Sequence, residues 1–76
     1  MIPDRIELNQ VVLIGKPVIK GTRIGVEQII DHLASGWTNR DILDNYPKLQ
    51  PEDIFACLAY AGNLIHEERF YPLKTA

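Results

Sequence analysis

Seventy-six residues with eight lysines and arginines, ten acidic side chains and a net charge of −2 allow one small domain. A domain this short buries only about 60% of its unfolded surface, so a partner or a second copy is expected to add stability, and a homodimer is the simplest form. The single Cys57 excludes an internal disulfide, two histidines with one cysteine make no metal-ligand spacing, and no apolar run approaches a membrane span.

Residues 5–14 open with alternation, Ile6 and Leu8 against Arg5, Glu7 and Asn9, and close with the run Val11-Val12-Leu13-Ile14. This predicts a half-buried strand, a bend at Asn9-Gln10, and a second stretch buried on both faces. The next ten residues, Gly15-Lys16-Pro17-Val18-Ile19-Lys20-Gly21-Thr22-Arg23-Ile24, concentrate glycine, proline, β-branched residues and positive charge. They predict a turn at Gly15, an extended Pro17–Ile19, a turn at Gly21 and a further extended Thr22–Ile24, with the extended pieces serving as edges for pairing or packing.

A first helix is predicted from Val26 to Ser35, with Ile29, Ile30, Leu33 and Ala34 on its apolar face, Glu27, Gln28, Asp31 and His32 mostly on the other, and Gly36 as its stop. Trp37 follows and is expected to plug the core from its rim. Thr38-Asn39-Arg40-Asp41 reads as a capping box opening a short helix that reaches about Tyr46 and ends because Pro47 forces its predecessor out of helical geometry. After the turn Lys48-Leu49-Gln50, Pro51-Glu52-Asp53 starts a third helix, with proline at the first position and acids at the positive end of the helix dipole. That helix is predicted to reach His66 or Arg69. It carries one apolar stripe of Ile54, Leu58, Ala61 and Ile65 beside a second set of Phe55, Cys57, Ala59, Tyr60 and Leu64. No residue from Ile54 to Ala61 is charged, so the helix is expected to be central or part of an interface. Phe70, Tyr71 and Leu73 give the tail three large apolar groups that a partner groove could capture. The chain thus divides into a β-rich segment (1–25), three helices (26–68) and a tail (69–76) within one domain.

Catalytic chemistry is not expected. His32 and His66 lie in different helices, Cys57 sits in an apolar stretch where a thiol behaves as a small hydrophobe, and no nucleophile-histidine-acid or paired-carboxylate spacing occurs. Gly15-Lys16 is no phosphate loop, because the required upstream glycine is missing and Pro17 stands where Ser or Thr is needed. No cofactor, metal or small-molecule ligand is expected, and the unpaired thiol and the non-signal-like N-terminus suggest a cytoplasmic protein.

Three helices with a short turn before the last match the layout of a helix-turn-helix, or homeodomain-like, bundle. The fold class read from sequence is therefore mainly α, a three-helix homeodomain-like bundle preceded by short N-terminal β-strands. In such a bundle the last helix reads DNA, yet residues 49–68 contain no Lys or Arg and open on two acids. Residues 1–25 hold four basic and two acidic side chains, a balance of +2, whereas residues 26–76 hold four basic and eight acidic, a balance of −4. Any phosphate contact is therefore expected from Lys16, Lys20 and Arg23, helped by Arg40 and Lys48.

The string Gly15 to Ile24, then Ala34-Ser35-Gly36, Asp41-Ile42-Leu43, Tyr46-Pro47, Leu49, Glu52-Asp53-Ile54 and Ala59-Tyr60-Ala61 resembles the domain of unknown function 433 family, over residues 11 to about 62. Within that pattern Gly15, Pro17, Gly21, Thr22, Trp37, Tyr46 and Pro47 are its structural positions, and Gly25 departs from the proline usual before the first helix. The resemblance implies a homeodomain-like helical fold after short strands, kinship with VapB-like antitoxins and a PIN-like ribonuclease toxin as partner. It makes this chain resemble the antitoxin half of a toxin-antitoxin module, with operator DNA as a further partner. A terminal segment commonly occupies the nuclease in such pairs, which points to residues 64–74, including Phe70, Tyr71 and Leu73. The alternative is an interaction or dimerisation module that makes no DNA contact.

Overall fold

One isoleucine from each of five short elements meets at the centre of the molecule. In the computed structural model, which describes residues 3–8 and 15–68, the elements are β1 (Ile6–Leu8), β2 (Pro17–Ile19), α1 (Val26–Ala34), α2 (Asn39–Asn45) and α3 (Pro51–Glu68). Ile6, Ile19, Ile29, Ile42 and Ile54 belong to one buried cluster, completed by Val26, Leu49, Ala56 and Cys57. The architecture is mainly helical, three helices behind a two-stranded sheet, as the sequence predicts. The expected stretch Val11–Ile14 and the tail from Arg69 onwards lie outside the described residues. No helix among the described residues is long and apolar enough to cross a membrane.

β1 and β2 pair antiparallel with Ile6 opposite Ile19, Glu7 opposite Val18 and Leu8 opposite Pro17. A two-stranded ribbon is marginal in water by itself, so its stability comes from packing β1 against α3 and β2 against α1. Thr22–Ile24 is not the extended edge that the sequence suggests. Gly21 takes φ 77°, a conformation open to glycine without steric cost. The Thr22 hydroxyl then donates to the Ile19 carbonyl at 2.7 Å and accepts from the Ile24 amide at 3.0 Å. This clamp folds the segment into a tight loop closed by the Ile19 amide on the Ile24 carbonyl, and only Gly25 returns to bridge Val18.

The helix boundaries follow from their caps. α1 ends in a Schellman motif: with Gly36 at φ 99°, the Gly36 amide donates to the Leu33 carbonyl and the Trp37 amide to that of His32. The contact that usually accompanies this motif is made by aromatic rings, for Trp37 stacks on His32 with centroids 3.9 Å apart. α2 opens on the expected box, Thr38 accepting from the Asp41 amide and the Asp41 carboxylate from the Thr38 amide. Pro47 occupies the second position of a turn closed by the Leu49 amide on the Tyr46 carbonyl, which sends Leu49 into the core.

The face of α3 that enters the core differs from the expected one. Ile54 is buried, but its supposed stripe-mates Leu58 and Ile65 are exposed, and the inward face is instead Asp53, Ile54, Ala56 and Cys57. Both sides of this helix are apolar, so periodicity alone cannot rank them; the placement of α1, α2 and β1 does. Burial, and secondarily the Asp53 carboxylate, push the Cys57 thiol from 9.0 up to about 12. An unfolded chain would release this proton above pH 9.0 while the native state keeps it to about pH 12, so stability falls as pH rises through that window. Urea titrations of the native chain and of Cys57→Ala between pH 8 and 11 are expected to diverge by up to roughly 1.4 kcal/mol per pH unit above the unfolded value, with the steeper loss in the native chain. Parallel pH profiles would contradict this.

Candidate protein-interaction site

The core does not extend along the whole of α3. Past Cys57 the inward face continues as Tyr60, Ala61 and Leu64, while α1, half as long, offers only Val26 and Ile30 to meet it. The result is an open apolar groove of about 340 Å³, with Pro17 of β2 at one side and Lys16 and Glu27 at the rim. Lys16 Nζ lies 3.2 Å from Glu27 Oε1. Both side chains are largely exposed, so this pair adds little stability, yet it offers the groove one group of each sign. An apolar floor with a few polar groups at its edge is the usual make-up of a site that takes a partner's side chains.

The basic residues singled out from sequence lie on three segments of the chain, around β2 and the loop after it, on α2, and in the turn that follows α2. Lys16 and Lys20 flank opposite ends of β2, and Lys16 is committed to Glu27. Arg40 faces Asp44 one turn along α2 at 3.7 Å. Lys20, Arg23 and Lys48 are exposed without an ion-pair partner among the described residues, the first two on the Gly21 loop and the third in the turn after α2. Of the motif positions, Gly15 and Gly21 hold φ values of 84° and 77°, Pro17 lines the groove, Thr22 clamps its loop, and Trp37 is half-buried against the core. Phe70, Tyr71 and Leu73 lie outside the described residues.

Two constellations escaped the sequence reading. Arg5 Nη1 donates to Asp53 Oδ1 at 2.9 Å across a separation of 48 residues, while Asp53 Oδ2 accepts from the Gln50 amide at 2.8 Å. Asp53 is thus an N-terminal cap for α3 and the anchor of β1. Glu52 is left as the exposed acid of that first turn. The second is an aromatic group between α1 and the end of α2: the Tyr46 hydroxyl accepts from the Gln28 amide at 2.9 Å and lies 2.9 Å from Nε2 of His32, whose ring stacks on Trp37. The four-residue spacing of Gln28 and His32 was the only local hint, since helical neighbours at that spacing share a face. Among the described residues no group of three or more His, Cys, Asp or Glu could hold a metal ion.

No curated protein matches the sequence. A crystal structure of a DUF433 member protein from Anabaena variabilis ATCC 29413 is similar, with a TM-score of 0.77 and 28% sequence identity over 83% of this chain. The match spans 62% of that protein's chain. A family model described as a protein of unknown function, DUF433, matches residues 6–61, the span that holds both strands, both early helices, the Tyr46-Pro47 turn and the first half of α3. On that match over most of its length, the chain belongs to the DUF433 family.

Proposed function

We propose that this chain is a non-enzymatic, antitoxin-like binding module whose apolar groove captures a segment of a PIN-like nuclease. The observation that carries the reading is the unfinished core at Tyr60, Ala61 and Leu64, where apolar side chains face Val26 and Ile30 across open space. A nuclease segment with aliphatic or aromatic side chains would fill that space, and the Lys16–Glu27 pair could reopen to meet a charged group of either sign. The choice of nuclease rests on the resemblance to VapB-like antitoxins.

Operator binding is the weaker part of the reading. In a helix-turn-helix the exposed side of α3 would lie in the major groove, but it presents Glu52, Phe55, Leu58 and Ile65, with no cation among them. The DNA-free form of the proposal is therefore favoured.

Co-expression with a PIN-like nuclease tests the proposal. The native chain should form a stable complex and relieve toxicity, and Leu64→Glu, at the groove's edge, should weaken the complex at least tenfold with unchanged circular dichroism. No complex, or one indifferent to the glutamate, would overturn it. A gel shift at low salt, where phosphate contacts are strongest, should show no retarded DNA for the DNA-free form to stand.

A further inference from the structure

The side of α3 turned away from the core is also apolar. Phe55 is 57% exposed, Leu58 48% and Ile65 58%, and they lie on one face with Ala59 and Gly62 between them. Residues 54–65 contain no charged side chain, so the middle of this face is uncharged, with Glu52 one turn before Phe55. Gly62 sits within an 18-residue helix, and a Cβ built on it would meet nothing within 4 Å. Glycine is disfavoured against alanine in a helix interior, and no described residue requires its missing side chain.

We propose that a second copy of this chain covers the face, with the two α3 helices antiparallel and Ala59 set against the partner's Gly62. The stripe is self-complementary in this register. Small residues meet at the centre, where the helices come closest, and Phe55 of each chain reaches the last turns of the other beside the partner's Ile65 and the partner's His66. Antiparallel pairing also sets the positive end of each helix dipole beside the negative end of the other, and it leaves uncharged surface on uncharged surface. A two-fold axis satisfies every contact twice, as an isologous interface requires.

The area is adequate for a modest dimer. An 18-residue helix is about 27 Å long, and three large side chains about half exposed contribute roughly 300 Å² per chain. With Ala59, Gly62 and the flanking residues the buried surface approaches the ~600 Å² per partner at which specific interfaces begin. The groove lies on the opposite side of α3, so the dimer does not depend on the nuclease reading and leaves the groove open.

Sedimentation equilibrium of the full chain from micromolar to millimolar concentration tests the inference. A monomer-dimer equilibrium is expected, with Phe55→Glu and Ile65→Glu each weakening it at least tenfold at unchanged circular dichroism. Gly62→Ala should raise the thermal midpoint of the dilute monomer and weaken the dimer, two changes of opposite sign that a purely structural glycine would not produce. Mixing Ala59→Cys with Gly62→Cys chains under air oxidation should cross-link the mixed pair in preference to either variant alone. A single-chain mass at all concentrations, a dimer indifferent to the glutamates, or dominant cross-linking of Ala59→Cys with itself would each overturn the proposal.

Discussion

Ile42→Ala is expected to lower the unfolding free energy by about 3 kcal/mol, through lost transfer energy and the cavity left behind. Ile42 is the only fully buried side chain of α2, a seven-residue helix. A helix so short has no stability of its own, and its capping box fixes where it starts without holding it to the bundle. Ile42 does that by meeting Ile29 and Ile54 of the neighbouring helices in the core cluster. A domain of this length has a total stability of about 4–11 kcal/mol, so the substitution removes a large share of it. Urea denaturation followed by circular dichroism should show the midpoint falling steeply. Arg40→Ala, which breaks only the exposed pair with Asp44, should change it by less than ~0.5 kcal/mol. A loss below about 1 kcal/mol for Ile42→Ala would mean that α2 is held by other contacts.

Asp53→Ala should cost about 2–3 kcal/mol, the sum of a lost helix cap, a lost favourable charge at a helix N-terminus and a lost charged hydrogen bond. Both carboxylate oxygens are occupied, one by Arg5 and one by the Gln50 amide, which is why a charged side chain can sit here almost fully buried. Arg5 is 44% exposed and can return to water, so its own contribution is discounted for solvent screening. Arg5→Ala is accordingly expected to cost about 1 kcal/mol, and Asp53→Asn, which keeps one acceptor, an intermediate amount. A double-mutant cycle between Arg5 and Asp53 isolates their coupling. Additive losses, with no coupling, would show that Asp53 acts only as the cap of α3.

These two sites also show where sequence reasoning worked. Thr38 with Asp41, Gly36, Pro47 and Pro51 are local devices whose partners lie within four residues, so the end of α1, both ends of α2 and the start of α3 could be read directly from the chain. Asp53 was legible only as a charge suited to the start of a helix. Its burial depends on Arg5, 48 residues away, and no local pattern encodes that distance. Thr22 was read as strand because it is β-branched; its hydroxyl instead competes for the backbone and closes a loop, a choice made by Gly21 beside it.

By itself the sequence determined the number of helices, most of their limits and the supply of apolar residues for a small core. Caps, turns and hydrophobic periodicity act over one or two turns of chain, and their energies do not need the fold. The tertiary structure decided which of α3's two apolar faces is the core, where that core stops short to leave a groove, and which cations are already paired. Those outcomes depend on the lengths of α1 and α3 and on contacts between residues far apart in the chain, so they exist only once the helices are packed together.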